Sequence, residues 1–597
     1  MCAIHGILGK RVFYIEKMID AAHHRGPDGN GKWFDDDITL GHNLLSIVDT
    51  ETNSQQPWIH NNLVIVYNGE IYNYKELQSE LNYDFRTDTD TEVLAVGLEK
   101  YGIDFIDKLD GMFAFACYNK DTKDLIIARD SNGTKPIYYG IHNNIFHFSS
   151  EIKSLLEIGF ERQICEHAFK HYYRQGLNTG YLTMFKGIKK FLPGEVRIIN
   201  VKTNKEKIIN LNNKSIPLIT ETNKRVIQDE LRSRLQKAVE MSLMGRRKIG
   251  LFLSGGIDST SILYEMTRLG VKPNTFTSKF ELVDPNSRLN EDADLAIQLC
   301  KDLNVDNKSV EQSQLDYINS MEQTFYALEE PRQGKSFPTY FNTNKFMSEN
   351  NITVTLSGDG GDELLVGYKH HLRPNWKAKL KDLGQNNNPL RNPKHCCTVD
   401  DQEDYLNEWL PKGGLQGDEL NDFLYVECLN TLCEDFLIRN DKLGMNFSME
   451  GRFPMLVKVF RDYVRSIPSH LKVDNDFKTK PTYNNKKLFK DAYRNHLPDY
   501  ILDRNKTGWR FPTDEILIGT RSKPAPDRSL LKDYVRTILD DKELQELFEF
   551  NNNDVENRYL NNKDYVNEVK GVGVRSQKEL FITMNFAIWR KMFKVSI

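Results

Sequence analysis

The first residue whose type suggests chemistry is Cys2, which directly follows Met1 in MCAIHGILGK. If Met1 is removed, Cys2 carries a thiol and a free α-amino group on the same carbon. The amine titrates near pH ~8 and the thiol near ~8.5, so the two groups suit a nucleophile and its general base. The simpler interpretation is a small, inert hydrophobic residue near a terminus, and Cys2 alone does not decide between them.

Two glycine-rich segments, SGGIDST at 254–260 and SGDGGDE at 357–363, carry the second chemical pattern. Their small residues let backbone N–H groups converge on a phosphate at a helix N-terminus. Asp258 in the first segment and Asp359 and Asp362 in the second add carboxylates, which beside a phosphate require a divalent cation such as Mg²⁺. The spacing is not that of a Walker A loop. Either loop alone is consistent with a tight turn, but two loops that both contain serine and aspartate favour a phosphate site.

Each glycine segment follows an apolar run and precedes a helical pattern, as in KIGLFLSGGIDSTSILYEMTRLG and NITVTLSGDGGDELLVGY. Strands that alternate with helices predict a parallel sheet covered by helices on both faces, and ligands of such sheets bind at the carboxyl ends of the strands. We therefore expect both loops at one edge of the same sheet. From about residue 375 onward the sequence predicts mainly helices.

The first 210 residues differ, because they contain many short strands and few helices. In NLVIVYNGEIYNYKELQSEL an apolar run leads to Asn68–Gly69, which we predict as a turn, and then to a helix. These features predict an α+β sandwich. The polar stretch NVKTNKEKIINLNNKSIPLITETNK suits a domain boundary, so we expect domains at 1–210 and 225–597.

Length, charge and cysteine content restrict the class of protein. A chain of 597 residues is too long for one compact core, so two or three domains are expected. The 80 basic and 84 acidic residues leave a formal net charge of −4, which predicts no nucleic-acid partner. No apolar stretch approaches the ~20 residues of a membrane span, and no signal-peptide pattern is found. The eight cysteines show neither disulfide nor zinc spacing, which predicts a reducing, cytoplasmic location.

The sequence resembles the glutamine-dependent asparagine synthetase family, which joins a class II glutaminase to an ATP pyrophosphatase domain with a pyrophosphate loop. In the first half the resemblance rests on CAIHGILG, RGPDG, LSIVD, YNGEIYNYKEL and TDTEVLAVGLEKYG. In the second half it rests on SGGIDS, LSGDGGDELLVGY, DKLGMNFSMEGRFP and RNKTGWRFP. The implied fold is an N-terminal α+β sandwich of the Ntn type, then a parallel-sheet α/β domain with a helical C-terminal portion.

In the glutaminase half, the resemblance implies that Cys2 attacks the carboxamide of glutamine and that its own amine is the general base. Asn68 and the backbone N–H of Gly69 match the family's oxyanion hole. Acidic side chains match the positions that hold the glutamine amine, and two backbone positions line the same pocket. The implied substrate-binding residues are Ile47, Val48, Glu70 and Asp90.

In the synthetase half, the resemblance implies that ATP activates aspartate as an acyl-adenylate and that ammonia from the first site then forms asparagine. Lys506 matches a lysine that neutralises phosphate charge, and Asp359 matches the carboxylate that helps deprotonate ammonia. Asp258 and Asp362 match the Mg²⁺ ligands. The implied ATP-binding residues are Leu253, Ser254, Gly255, Gly256, Asp258, Ser259, Ser278, Ser357 and Gly358.

One position of the glutaminase half departs from the family pattern. The pattern before LSIVD is His, any residue, then Arg, and that Arg binds the glutamine α-carboxylate, whereas GHNLLSIVD has Leu44 there. Loss of one partner of a buried ion pair typically costs ~3–5 kcal/mol, so we predict impaired but real glutaminase activity. Three explanations stay open: another arginine reaches the carboxylate, the site accepts a different amide, or free ammonia is the working donor. The candidate arginines are Arg25, Arg86 and Arg129.

Two further departures lie in the synthetase half. Asp359 is Glu in many relatives, and the loss of one methylene withdraws the carboxylate by ~1.5 Å. Val457 stands where the family usually has Asp, and it affects either the acceptor pocket or only the packing.

The leading hypothesis is ATP-dependent amidation of aspartate to asparagine. The first alternative is the same chemistry on another carboxylate, such as a sugar, a peptide or a specialised metabolite. Others are an ammonia-dependent synthetase with a weakened glutamine site and a non-catalytic binding protein that kept the fold. The predicted partners are glutamine, aspartate and ATP, with Mg²⁺ as cofactor, no nucleic acid and no membrane; a homodimer is one possible assembly.

Overall fold

The computed structural model describes residues 2–48, 55–372, 397, 399–473, 485–504, 511–517, 519, 529–548, 550–560 and 572–596. Two antiparallel sheets lie in the first part of the chain, and a parallel sheet lies in the second. The predicted fold class, an α+β sandwich followed by an α/β unit, is therefore confirmed. Lys506 lies outside the described residues.

The N-terminal part is a sandwich in which two six-stranded antiparallel sheets pack face to face. Ile4 and Leu40 of the first sheet meet Val64 and Ala116 of the second, and all four are fully buried. Because side chains alternate along a strand, the neighbouring positions point outward, where helices cover them. The first sheet contains β1 (Ala3–Leu8), β2 (Gly29–Phe34), β3 (Ile38–Leu44), β8 (Tyr138–His142), β9 (Ile145–Ser149) and β10 (Ile188–Lys190). The second contains β4 (Trp58–His60), β5 (Leu63–Ile71), β6 (Gly111–Asn119), β7 (Asp124–Arg129), β11 (Glu195–Asn200) and β12 (Glu206–Asn210).

The predicted turn at Asn68–Gly69 is wrong, because β5 runs straight through these residues. Asn68 pairs with Ala114 and Gly69 with Phe113 on β6, so tertiary pairing overrides the local turn signal. Glycine is needed for a different reason: a Cβ at Gly69 would lie 2.1 Å from the carbonyl oxygen of Met112. The polar stretch that follows β11 also contains a strand, β12, at the edge of its sheet.

The second part is built on a five-stranded sheet in the order β15-β14-β13-β16-β17, with parallel pairing throughout. β13 and β16 are neighbours, so the two glycine loops that follow them lie side by side, as predicted. The sheet strands are β13 (Ile249–Phe252), β14 (Asn274–Phe280), β15 (Asn307–Gln312), β16 (Val354–Leu356) and β17 (Glu450–Arg452).

Helices cover the sheets and form most of the C-terminal part. Within the described residues, no helix is long and apolar enough to cross a membrane. The helices before the parallel sheet are Val12–Ala21, Tyr74–Leu81, Asp90–Tyr101, Ile152–Leu156, Glu166–Gln175 and Lys224–Ser242. Those between its strands are Ile257–Arg268, Glu291–Asp302, Gln314–Leu328, Phe337–Glu349, Gly361–Leu364, Val399–Trp409, Glu419–Glu427, Cys428–Leu437 (a π-helix) and Ile438–Met445. Those after it are Lys458–Ser466, Ser469–Lys472, Lys487–Ala492, Asp499–Leu502, Thr513–Leu517, Leu530–Leu539, Lys542–Phe548, Asn552–Asp554, Val555–Leu560 (a π-helix) and Val572–Phe593.

Candidate active sites

Cys2 directly precedes β1 and is buried. Its backbone nitrogen donates a hydrogen bond to Oδ1 of Asn68 at 2.9 Å, across the gap between the sheets. Burial raises the pKa of the Cys2 thiol, and a hydrogen bond from the backbone of Leu45 opposes that rise. The thiol is therefore protonated at neutral pH, and a nearby base has to remove its proton before it can attack.

The nitrogen of the Asn68 carboxamide is a candidate donor for an oxyanion hole. Nδ2 of Asn68 is buried and has no hydrogen-bond partner among the described residues. A buried donor without a partner costs free energy, typically ~1–3 kcal/mol, which a bound anionic oxygen would recover. Gly69 is the next residue on the same strand.

The acidic residues predicted to hold an amine lie on and beside β5. Burial raises the pKa of Glu70 well above its ordinary value, and the neighbouring Glu450 raises it further, while Arg452 opposes them at 3.4 Å. Burial also raises the pKa of Asp90, whose Oδ2 accepts hydrogen bonds from Tyr67 (2.7 Å) and the Ile71 backbone (2.9 Å). Both shifts would be reduced by a bound ammonium group, so this side of Cys2 suits the amine of an amino acid.

Residues 44–48 form another side of the surroundings of Cys2. Ala3 pairs with Asn43 in the sheet, so Leu44 is the next position along β3 and lies beside Cys2. Leu44 is buried and adds no charge. The carbonyl of Ile47 accepts a hydrogen bond from the backbone nitrogen of Arg246 at 2.9 Å. The predicted pocket backbone at Ile47–Val48 is thus in contact with the loop before β13.

Each of the three candidate arginines contacts other groups of the protein. Arg25 donates to Glu151 and Asp441, both at 2.7 Å, and its Nε donates to the Cys2 carbonyl. Arg129 donates to backbone carbonyls, including that of Lys135 at 2.9 Å. The third, Arg86, is largely exposed, with its Nε 3.4 Å from Glu92 and its guanidinium 5.5 Å from the Trp58 ring.

A cavity of about 410 Å³ opens at the carboxyl ends of the parallel strands. It is lined by eight of the nine predicted ATP-binding residues and by the predicted metal ligands and Asp359. The exception is Gly255, whose Cβ position faces the Asp292 carbonyl at 2.5 Å instead of the cavity. Four cations on distant segments also line this cavity, and sequence reasoning missed them. The additional basic lining residues are Arg439, Lys486, Lys490 and Arg504.

The predicted metal ligands meet at one of these cations. Lys486 Nζ contacts Oδ2 of Asp258 and lies 2.7 Å from Oδ1 of Asp362. Burial alone would lower the pKa of Lys486, but the two carboxylates raise it well above its ordinary value. Two carboxylates that converge on one positive charge form a donor set of the kind that Mg²⁺ prefers. The residues therefore fit a divalent cation.

Asp359 and Ser278 lie in the cavity with defined partners. Oδ2 of Asp359 accepts hydrogen bonds from Ser357 (2.7 Å) and Asn440 (2.9 Å), and Oδ1 lies 3.3 Å from Arg439. The hydroxyl of Ser278 lies 2.7 Å from that of Thr343, at the wall of the cavity.

Val457 does not line the cavity and is buried in an apolar cluster. Of the two roles that the sequence left open for this position, packing is the one consistent with its surroundings.

Ion pairs join the two sites through the interior. Arg25, which holds the Cys2 carbonyl, reaches Asp441 on the helix Ile438–Met445. The next residue, Lys442, contacts Glu151 of the N-terminal sandwich at 3.1 Å and Glu329 at 2.5 Å. On the same helix, Arg439 lines the cavity, and both Arg439 and Asn440 contact Asp359. One rigid element thus connects the surroundings of Cys2 to those of Asp359.

Comparison with known families decides what kind of protein carries these two sites. A family model described as Asparagine synthase matches residues 230–580, which is more than half of the chain. The chain belongs to the asparagine synthase family. A second model, described as Glutamine amidotransferase domain, matches residues 1–209. The protein therefore combines a glutamine amidotransferase domain with an asparagine synthase domain.

Curated proteins similar to this asparagine synthase family member match it over most of the chain. "Asparagine synthetase [glutamine-hydrolyzing] 1" of Bacillus subtilis is 28% identical, over 91% of this chain and 93% of its own length. "Putative asparagine synthetase [glutamine-hydrolyzing] 2" of Methanocaldococcus jannaschii is 30% identical, over 74% of this chain and 98% of its own length. "Amidase chry2" of Gibberella zeae is 24% identical, over 83% of this chain and 85% of its own length.

Proposed function

We propose that the protein converts L-aspartate to L-asparagine at the expense of ATP, through a β-aspartyl-adenylate, with ammonia supplied by glutamine hydrolysis at Cys2. The products of the ATP step are AMP and pyrophosphate. The observation that carries this proposal is the convergence of Asp258, Lys486 and Asp362 at the floor of the strand-end cavity. Such a cluster combines carboxylates for a divalent cation with an ammonium group for a phosphate.

In the glutaminase half, the Cys2 thiol transfers its proton to the α-amine and attacks the carboxamide carbon of glutamine. Asn68 Nδ2 and the Gly69 N–H stabilise the negative charge that develops on the carboxamide oxygen. The carbon–nitrogen bond then breaks, the nitrogen takes the proton from the α-ammonium and ammonia leaves. Water hydrolyses the remaining thioester to glutamate and restores the thiol.

In the synthetase half, the β-carboxylate of aspartate attacks the α-phosphorus of ATP, and pyrophosphate leaves. Asp258 and Asp362 would hold Mg²⁺, which neutralises charge on the triphosphate when it is bound. Lys486, which contacts both carboxylates, would then be free to bind a phosphate oxygen. Asp359 accepts a proton from the ammonia that attacks the adenylate, which completes the amide as AMP departs. Lys506 retains its predicted role in neutralising phosphate charge.

The test supplies ATP, Mg²⁺ and aspartate with either glutamine or ammonium, and measures asparagine and pyrophosphate. Intact-mass analysis of the same sample shows whether Met1 has been removed. We expect asparagine to form with either donor. For each asparagine formed, one pyrophosphate should be released. Asparagine from ammonium alone would contradict the glutaminase half, and aspartate-independent pyrophosphate release would contradict the assigned acceptor.

One observation favours a second candidate, amidation of a different carboxylate. The guanidinium of Arg439, beside Asp359, lies 4.4 Å from the Tyr340 ring and 5.0 Å from the Phe436 ring. These aromatic groups line the cavity and offer contact area to an acceptor larger than aspartate. Pyrophosphate release that depends on another carboxylic acid and not on aspartate would select this candidate.

A further inference from the structure

The surroundings of Cys2 have an electrostatic asymmetry that bears on how glutamine is held. Glutamine carries an α-ammonium and an α-carboxylate at the end opposite to its carboxamide. Glu70 and Asp90 lie on the β5 side of Cys2 and suit the ammonium, and the same charges repel a carboxylate. The carboxylate is therefore directed to the side formed by residues 44–48, where Leu44 adds no cation.

A guanidinium from the other domain lies on that side. Nε of Arg247 donates to the carbonyl of Ser46 at 2.7 Å, and Nη2 donates to Oδ2 of Asp28 at 2.8 Å. Asp28 is itself attached to the segment, because its backbone nitrogen donates to the Leu44 carbonyl at 3.0 Å and its Oδ2 accepts from Ser46. Arg247 is thus held at Ser46. Ser46 lies two residues along the chain from Leu44, which is beside Cys2.

The guanidinium also keeps binding capacity. Nη1 of Arg247 makes no hydrogen bond to any part of the chain that the structure describes, and the side chain is 35% exposed. Asp28 offsets its charge only partly, since the carboxylate is shared with the backbone of Ser46. An arginine held at two atoms and open at a third can receive a carboxylate without first being ordered.

Arg247 contacts Ser46 although the two residues are far apart in the sequence. The loop 243–248 precedes β13, and its other contacts press it against the same segment. The backbone of Arg246 binds Ile47, and a Cβ at Gly245 would lie 2.9 Å from the Ile47 side chain. β13 then leads to the glycine loop of the ATP cavity, so one strand separates Arg247 from that loop.

We propose that Arg247 binds the α-carboxylate of glutamine and takes over the part of the arginine that Leu44 replaces. This assignment rests on the proposed glutaminase function. It makes free glutamine the amide donor, and it makes the glutamine site a composite of the two domains.

The experiment compares glutamine with glutamine α-amide, in which the α-carboxylate is neutral and the side-chain carboxamide is unchanged. Release of ammonia from the side chain is measured for the wild type, Arg247→Leu, Arg247→Lys and the matched control Arg246→Leu. Ammonium-dependent amide synthesis by each variant reports that the chain is folded. We expect the wild type to prefer glutamine, and Arg247→Leu to lose about 10- to 100-fold in kcat/KM for glutamine, mostly through KM.

The α-amide separates a carboxylate contact from a general structural effect. If Arg247 binds the carboxylate, Arg247→Leu leaves kcat/KM for the α-amide nearly unchanged, Arg247→Lys is intermediate and Arg246→Leu resembles the wild type. In the Arg247→Leu background, Leu44→Arg is expected to restore the preference for glutamine, because residue 44 lies beside Cys2.

Two results would overturn the assignment, and only one of them would also contradict the glutaminase function. If the wild type releases ammonia from glutamine and Arg247→Leu keeps the full preference for the carboxylate, Arg247 is not the anchor while the glutaminase function stands. If the wild type releases no ammonia from glutamine but uses ammonium, the glutaminase function fails and the assignment fails with it.

Discussion

In the proposed mechanism, Asn68 uses the two ends of one carboxamide for two tasks. Its oxygen accepts a hydrogen bond from the backbone nitrogen of Cys2, and its nitrogen, which has no partner among the described residues, would bind the oxygen of a reacting amide. This division means that the two tasks can be removed separately by substitution.

The first prediction concerns those two tasks. Asn68→Asp keeps an oxygen for Cys2 but removes the donor, so kcat for glutamine hydrolysis should fall by ~10²–10³. Asn68→Ala removes both the oxygen and the donor, so it should lower kcat at least as much. Ammonium-dependent synthesis should be unchanged in both variants. Steady-state assays with each donor measure this. Full glutaminase activity in Asn68→Asp would show that only the positioning of Cys2 matters.

Glu363 is a second residue whose chemistry is set by its surroundings. It lines the strand-end cavity, and burial together with the charge of Asp362 raises its pKa from an ordinary 4.5 to about 8. Between these values the unfolded chain loses the proton and the folded chain keeps it, so this carboxyl makes folding less favourable as pH rises.

We therefore expect Glu363→Gln to gain thermal stability relative to the wild type as pH rises from 5.5 to 8. Gln retains an oxygen for the hydroxyl of Tyr368, which donates to Glu363 at 3.0 Å. Melting temperatures of the ligand-free proteins across this range measure the effect. A difference that stays constant with pH would contradict the raised pKa.

At the scale of elements, the strand–loop–helix units of the strand-end cavity could be predicted, and the cations around the cavity could not. An apolar run, glycines and a helical period are local signals, and they located the loops after β13 and β16. Lys486 precedes the helix Lys487–Ala492, more than 200 residues from Asp258, and nothing local marks it as a partner. Arg247 was missed for the same reason.

The Asn-Gly pair shows the opposite failure, in which a strong local signal misleads. Asn68–Gly69 has the composition of a hairpin turn, but the pairing of β5 with β6 outweighs that preference. The resemblance still assigned these residues to the site, because it relied on motif order and not on predicted secondary structure. The resemblance thus assigned these residues to a site without a correct prediction of the backbone that carries them.

A third prediction tests the cluster at the floor of the cavity. Lys486→Met removes a cation that both Asp258 and Asp362 contact, so the ligand-free protein should melt at a lower temperature. Mg²⁺ alone should then stabilise the variant more than the wild type, because the carboxylates prefer a hard cation. Lys487→Met is the matched control, since Lys487 pairs with Asp491. Equal stabilisation of all three proteins by Mg²⁺ would rule out a cation site there.

At the scale of the whole molecule, buried ion pairs hold the two domains together. Lys190 on β10 donates to Glu434 at 2.5 Å and to the carbonyl of Asn178 at 2.9 Å, and both charged side chains are almost completely buried. Removing one partner of such a pair leaves an uncompensated charge in the interior, whereas removing both does not.

The fourth prediction follows from this difference. Lys190→Met should lower the free energy of unfolding by ~3–5 kcal/mol, and the double variant Lys190→Met/Glu434→Leu should recover part of the loss. The exposed pair of Lys108 and Glu80 provides the control, because Lys108→Met should change the free energy of unfolding by less than ~1 kcal/mol. Urea unfolding of the four proteins measures the difference. A double variant less stable than Lys190→Met would show that the pair is not the source of the loss.

The salt bridge between Glu70 and Arg452 has a consequence for how this protein can evolve. Glu70 belongs to the sandwich and Arg452 to the last strand of the parallel sheet, and Arg25 and Asp441 repeat the arrangement. A gene split between these halves would remove Arg452, the counter-charge of the buried Glu70, and would separate the buried guanidinium of Arg25 from Asp441, one of its carboxylate partners. Fission into two subunits, or the exchange of one half for that of a distant relative, therefore requires compensating substitutions on both polypeptides at once.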